Sequence, residues 1–228
     1  MAKTVGVIGG MGPMATLDFY RKIIKNTKAD SDQGHIHVLI DSNPKIPDRT
    51  AFILGKGESP LDEIVASAVR LQAAGCDLLA MPCNTAHYFY DDIVEHIGIP
   101  LINMVEEVAG HVSACYGKAA KIGLLATIGT YEAGVYEKYF KKYDIDIIVP
   151  DDTGKREVFS AIYGVKNGAG DVPVDGVCDV VNSLVQNGVD GIVLGCTELP
   201  LLVEKFPSGI RYIDATEILA LKVIQMSC

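Results

Sequence analysis

The sequence predicts an α/β protein of two similar domains related by pseudo-twofold symmetry, each a four-stranded parallel sheet flanked by helices. Three observations carry this. Short apolar, β-branched runs alternate with longer amphipathic stretches, as in strands joined by crossover helices. Those runs are continuous rather than alternating, as in strands covered on both faces. The first half of the chain also returns in the second. Thr4-Val-Gly-Val-Ile-Gly-Gly-Met-Gly-Pro13 is echoed by Lys121-Ile-Gly-Leu-Leu-Ala-Thr-Ile-Gly-Thr130 at an offset of 117. Ala74-Gly-Cys-Asp77 through Asn84 is echoed by Asn187-Gly-Val-Asp190 through Thr197 at 113, and Ile99–Glu106 by Ile210–Glu217 at 111. Echoes in one order indicate two copies of one unit.

In the first half, strands are expected at 5–9, 36–41, 77–81 and 100–103, and helices at 14–28, 59–74 and 86–96. Ser59-Pro60-Leu61-Asp62-Glu63 supplies a helix start, with Ser as N-cap, Pro at the first helical position and acids in the first turn. Gly75 supplies its stop. Two prolines in Asn43-Pro-Lys-Ile-Pro-Asp-Arg-Thr50 keep that segment extended and away from helix. No linker rich in Pro, Gly or Ser divides the halves, so they are expected to pack closely.

The 228 residues carry 20 Lys and Arg against 29 Asp and Glu, a formal charge of −9. Phosphate neutralisation needs clustered cations, so no nucleic-acid partner is expected, and a basic membrane-surface protein is disfavoured as well. At 49% hydrophobic and 21% charged residues, the chain has ample apolar material for a packed core. The six cysteines, Cys76, Cys83, Cys115, Cys178, Cys196 and Cys228, form no C-x-x-C pair, so zinc-ribbon and thioredoxin-like sites lack their spacing. The N-terminus does not read as a signal peptide, and no apolar run approaches the roughly 20 residues of a membrane span. The expectation is a cytoplasmic protein with reduced thiols and no membrane partner.

Ligands of open parallel sheets bind beyond the carboxyl ends of the strands. The repeat puts Cys83 and Cys196 there in both halves, each after a third strand and before a helix whose N-terminus favours a thiolate. One cysteine at a strand end is an ordinary core residue. Two at equivalent places, followed by the polar Asn84 and Thr85 and by Thr197 and Glu198, are read as facing one another across a cleft. An opposed thiolate and thiol suit racemisation, in which a proton leaves one face of a carbon and returns to the other. That chemistry formally requires no cofactor, although the site must stabilise a carbanionic intermediate.

Gly9-Gly10-Met11-Gly12-Pro13 follows the first strand, and Gly10, Gly12 and Ala15 fit G-x-G-x-x-A with Asp41 ending the second strand. The favoured reading is a tight turn with a small backbone anion site rather than a dinucleotide fingerprint, which leaves the paired cysteines unexplained. Arg49 is either a bidentate carboxylate clamp or a surface arginine. Lys166, with Tyr163 nearby, has the same two readings. His87, four residues after Cys83, suggests a Cys–His nucleophile pair. A structural or supporting role is preferred, because the matching position in the second half is Pro200.

Five motifs together resemble the aspartate/glutamate racemase family: Gly9-Gly-Met-Gly-Pro-Met-Ala-Thr16, Ile46-Pro-Asp-Arg-Thr50, Pro82-Cys-Asn-Thr-Ala-His87, Tyr163-Gly-Val-Lys166 and Leu194-Gly-Cys-Thr-Glu-Leu-Pro200. The resemblance implies a cofactor-independent racemase with Cys83 and Cys196 as catalytic acid/bases. It implies Asn84, Thr85, Thr127 and Thr197 near the α-carboxylate and amine, and Arg49 and Lys166 at the side-chain carboxylate. Met11 and Gly12 are counted among the substrate contacts. Cys-Thr-Glu is the aspartate-racemase form of the second motif, where glutamate racemases usually carry Cys-Thr-His. The resemblance further implies a homodimer and a last helix, 215–228, that returns to the first domain. The domains are then 1–103 plus 215–228, and 104–214. Aspartate is the expected substrate, with glutamate second. The alternatives are an isomerase or decarboxylase of a small dicarboxylic acid, and a nucleotide- or metabolite-binding sensor.

Overall fold

The computed structural model describes residues 3–227. Met1, Ala2 and Cys228, the end of the expected last helix, lie outside the described residues. The chain runs β1 (Val5–Gly9), α1 (Pro13–Asn26), β2 (Val38–Ser42), α2 (Arg49–Ile53), α3 (Leu61–Ala73), β3 (Leu78–Ala80), α4 (Tyr90–Val94) and β4 (Leu101–Ile102). It continues through α5 (Met104–Tyr116), β5 (Lys121–Leu125), α6 (Ile128–Glu132), α7 (Val135–Phe140), β6 (Asp146–Ile148), α8 (Asp152–Lys166), α9 (Asp175–Gln186), β7 (Gly191–Leu194), β8 (Tyr212–Asp214) and α10 (Ala215–Ser227). The strands form two four-stranded sheets of the same order, β2-β1-β3-β4 and β6-β5-β7-β8, with every pairing parallel. The fold is the pseudo-symmetric pair of α/β units that the repeat implies.

The repeated residues have repeated jobs. Asp77 accepts from the Thr4 N–H at 2.7 Å, and Asp190 from the Lys121 N–H at 2.9 Å, so each aspartate pins the start of a third strand to a first strand. Gly75 and Gly188 adopt φ of 89° and 78°, the left-handed conformation that ends a helix before such a strand. Asn103 caps α5 through the Glu106 N–H, and Asp214 accepts from the Thr216 and Glu217 N–H groups at the start of α10.

Apolar side chains divide into three cores. The central one joins one face of each sheet through α1, α5, α7 and α10, with Phe19, Val108, Tyr136 and Leu219 buried. The outer face of the first sheet is covered by Ile64, Ala68 and Leu71 of α3, and that core includes Cys83. The outer face of the second is covered by α8 and α9, and that core includes Cys196. Helix α10 lies against α1, where Lys22 bonds Asp214 at 2.6 Å and Asn26 bonds Glu217 at 2.9 Å. It also touches α5 through Lys222 and Glu107.

Four expectations need correction. β2 is not covered on both faces: it is an edge strand, and Ile40 is 39% exposed. The helix expected at 86–96 is a 3-10 turn, Thr85–Phe89, followed by the short α4. The segment after Pro47 does not stay extended, because the Asp48 side chain accepts from the Ala51 N–H at 2.7 Å and starts α2 at Arg49. The helix expected from Ser59 begins at Leu61, where Pro60 rather than Ser59 holds the cap position. No helix among the described residues is long and apolar enough to cross a membrane.

Candidate active site

The two sheets present Cys83 and Cys196 just beyond β3 and β7. Both are buried, at 5% and 6% exposure. Neither precedes a long helix. Cys83 is followed by the 3-10 turn Thr85–Phe89, and Cys196 by another, Leu199–Leu201. The expected thiolate stabilisation by a helix N-terminus is therefore not built at Cys196. Its Sγ instead donates to Glu198 Oε2 at 2.9 Å. Burial, with the Glu198 charge beside it, pushes the Cys196 thiol well above its ordinary pKa, and the Lys166 charge opposes this only in part. Cys196 rests as a thiol.

Lys166, on the last turn of α8, is the electrostatic hub. Burial works against its ammonium, but Cys196, Glu198 and Cys83 outweigh that and raise its pKa; Arg49 pulls the other way. Lys166 thus feels both cysteines, the carboxylate and the arginine at once. Its Nζ stands 4.8 Å from the centroid of the Tyr163 ring.

Arg49 is buried, at 7% exposure, and is no surface residue. It is also not a free fork. Nη1 donates to the carbonyls of Ile46 and Pro47 and Nη2 to that of Met11, which leaves Nε unpartnered. Arg49 therefore ties the proline loop to the glycine turn. In that turn the Gly10 N–H already donates to Thr16 Oγ1 at 2.9 Å, and a Cβ at Gly10 would stand 2.4 Å from the Asn43 backbone. The chain itself fills the space over the turn, and Pro13, at the first position of α1, has no N–H to offer an anion. Met11 contributes its carbonyl to Arg49. Gly12 faces Glu198, whose Oε1 would lie 3.2 Å from a Cβ built there.

Asn84 is buried beside Cys83. The Tyr136 hydroxyl donates to its Oδ1 at 2.6 Å, and its Nδ2 has no partner. Burial holds the Tyr136 phenol well above its ordinary pKa, so it donates as a neutral hydroxyl. Thr197 donates to Glu198 Oε2 at 3.3 Å. Thr85 and Thr127 do not point free donors into the site. Thr127 caps α6, and its hydroxyl joins those of Thr50, Thr85 and Thr130 in a buried cluster that crosses between the halves.

His87 is fully engaged. The Met104 N–H donates to Nε2 at 3.0 Å, so Nδ1 carries the proton and donates to the Cys83 carbonyl at 2.9 Å. Burial holds its pKa down to about 4. Its free base points at a backbone N–H rather than at a thiol, so it braces the Cys83 loop against α5 and does not activate a nucleophile. Sequence reasoning left Glu198 without a role and missed Asp48, Tyr136, Thr50 and Thr130. Asp48 and Thr50 did stand inside a quoted motif, and Thr130 inside the repeat, and that was the available signal.

Residues 8–223 match the family model described as Asp/Glu/Hydantoin racemase, and the chain belongs to that family. A broad specificity amino-acid racemase of Bacillus subtilis is 28% identical over 226 residues, covering 95% of this chain and 94% of the relative. Among solved structures, the aspartate racemase of Picrophilus torridus matches at a TM-score of 0.89 and 32% identity, covering 99% of this chain and 94% of that one. An aspartate racemase homologue from Pyrococcus horikoshii matches at 0.74 and 25% identity, with 99% of each chain covered.

Proposed function

We propose that this protein racemises an acidic amino acid, aspartate first and glutamate second, without pyridoxal phosphate, by exchanging protons between two cysteines. The observation that carries the reading is the equivalent placement of the buried Cys83 and Cys196 just beyond β3 and β7, the corresponding strands of two sheets of the same order. A substrate with two carboxylates needs cations in a net acidic protein, and the buried Arg49 and the half-buried Lys166 are the two candidates.

In one direction the Cys83 thiolate takes the α-proton, and the electron pair left on carbon is delocalised into the α-carboxylate. The Cys196 thiol then gives its proton to the opposite face. The enantiomer leaves with Cys83 as thiol and Cys196 as thiolate, and the reverse reaction or proton exchange with water restores the start. No oxidant or electron acceptor is needed. The raised pKa of the Cys196 thiol supports the acid role for it in this first half of the cycle. Asn84, Thr197 and the charge of Lys166 are the groups proposed to hold the carboxylates.

The test is incubation with L-aspartate in the absence of added cofactor, followed by chiral chromatography. D-aspartate should accumulate until the two enantiomers are equal. The similarity to a broad specificity racemase makes a panel of neutral amino acids the right control. If no amino acid in the panel is inverted, the reading is wrong. If CO₂ is released, the decarboxylase alternative takes its place.

A further inference from the structure

Buried polar groups without partners are costly, so those that persist in a site mark where a ligand's groups belong. Among the described residues, the buried polar atoms without a hydrogen-bond partner include three here: Arg49 Nε, Asn84 Nδ2 and Glu198 Oε1. Two are donors and one is an acceptor. An acidic α-amino acid offers the complement, two carboxylates and one ammonium.

We infer that Glu198 is the specificity residue for the substrate's α-ammonium, with Oε1 accepting from the ammonium while Oε2 keeps its bond to Cys196. The inference rests on the racemase reading above and adds a role which that reading leaves open. Glu198 is buried, at 2% exposure, so its unpaired oxygen is not turned to bulk water. Arg49 and Lys166 would repel an ammonium, and Glu198 is the carboxylate that offsets them. Gly12 has no side chain, and a Cβ there would stand 3.2 Å from Oε1, so glycine leaves the approach to that oxygen open. The chemistry gains as well. An amine held as ammonium stays electron-withdrawing on the carbon that loses its proton. A dicarboxylic acid of the same shape but without the amine leaves Oε1 buried and unpaired, and is disfavoured. Glu198 therefore selects amino acids against simple diacids.

The test is calorimetric titration of the wild-type protein and two variants with aspartate and with succinate. Wild type should prefer aspartate. Glu198→Gln should weaken aspartate about 10–100-fold, the worth of one charged hydrogen bond, while succinate binds as well or better. Glu198→Asp, which keeps the charge but withdraws it by one methylene, should weaken aspartate by less and leave succinate unchanged. If Glu198→Gln fails to fold, the Glu198→Asp pair of titrations decides. Parallel weakening of both ligands, or an undiminished aspartate preference, overturns the inference while the racemase reading stands. Wild type that binds neither ligand overturns both.

Discussion

The Tyr163 hydroxyl donates to Asp48 Oδ2 at 2.8 Å, joining α8 of the second half to the N-cap of α2 in the first, 115 residues away. The same carboxylate caps the helix that begins with Arg49. Burial raises Asp48, but the Ala51 N–H, the Tyr163 hydroxyl and the charges of Lys166 and Arg49 outweigh it, so its pKa lies below the ordinary value. Burial pushes the Tyr163 phenol up to about 12. The bond is thus a neutral phenol on a carboxylate throughout the neutral range.

Tyr163→Phe removes this tie without adding volume. It should lower stability by about 1–2 kcal/mol, the worth of a half-buried hydrogen bond to a charged group, and raise KM more than it lowers kcat. Because Asp48 titrates below its unfolded value, its contribution is present above about pH 4 and lost as the pH falls below that. The difference between wild type and Tyr163→Phe should therefore shrink in acid. Urea unfolding at pH 7 and pH 3.5 measures it, and a gap of the same size at both would contradict this.

The two cations should fail differently. Lys166 lowers the pKa of the Cys196 thiol, and both cysteines in turn raise its own. Lys166→Met should raise KM for aspartate about 10–100-fold and move the pH at which Cys196 acts as a base upward, for every substrate. Arg49→Lys keeps the charge but loses the fork that holds Ile46, Pro47 and Met11. It should lower kcat/KM for aspartate and for any neutral amino acid alike. Steady-state kinetics with both substrates over a pH series separates the two, and a loss confined to aspartate in Arg49→Lys would restore the direct-clamp role.

How much of this was legible in the sequence follows from what repeats. Cys83, Cys196, Asp77 and Asp190 recur at one spacing because each half needs the same strand end and the same pin. Pro200 opposite His87 is consistent with a histidine held between two backbone groups. Edge exposure of β2 was not legible, since an apolar run looks the same at the edge and the centre of a sheet. Nor was the 3-10 turn after Cys83, where turn geometry outweighs the helical spacing of the apolar residues. The threonine cluster and the Tyr136–Asn84 bond join residues 42 to 77 positions apart. No local pattern encodes such contacts.

His87 makes acid stability a test of its bracing role. Its pKa is about 4 in the fold against an ordinary 6.5, so the unfolded chain takes up the proton first. Its contribution is fully present above about pH 6.5 and is lost as the pH falls to about 4, amounting to about 3 kcal/mol. His87→Gln should be less stable at pH 7 yet show a shallower loss between pH 6.5 and pH 4. Urea midpoints across that window check it, and parallel curves would mean that His87 is charged in the fold.

The two-cysteine mechanism is tested most directly by α-proton exchange in D₂O with Cys83→Ser and Cys196→Ser, each given L- and D-aspartate separately. A serine hydroxyl is too weak an acid to ionise unaided at neutral pH, so each variant keeps one working base. Both should lose racemisation in both directions, because every turnover needs one cysteine as base and the other as acid. Each should still wash deuterium into a single enantiomer, and the two variants should choose opposite ones. Near-normal racemisation in either variant, or exchange of the same enantiomer by both, would contradict the mechanism.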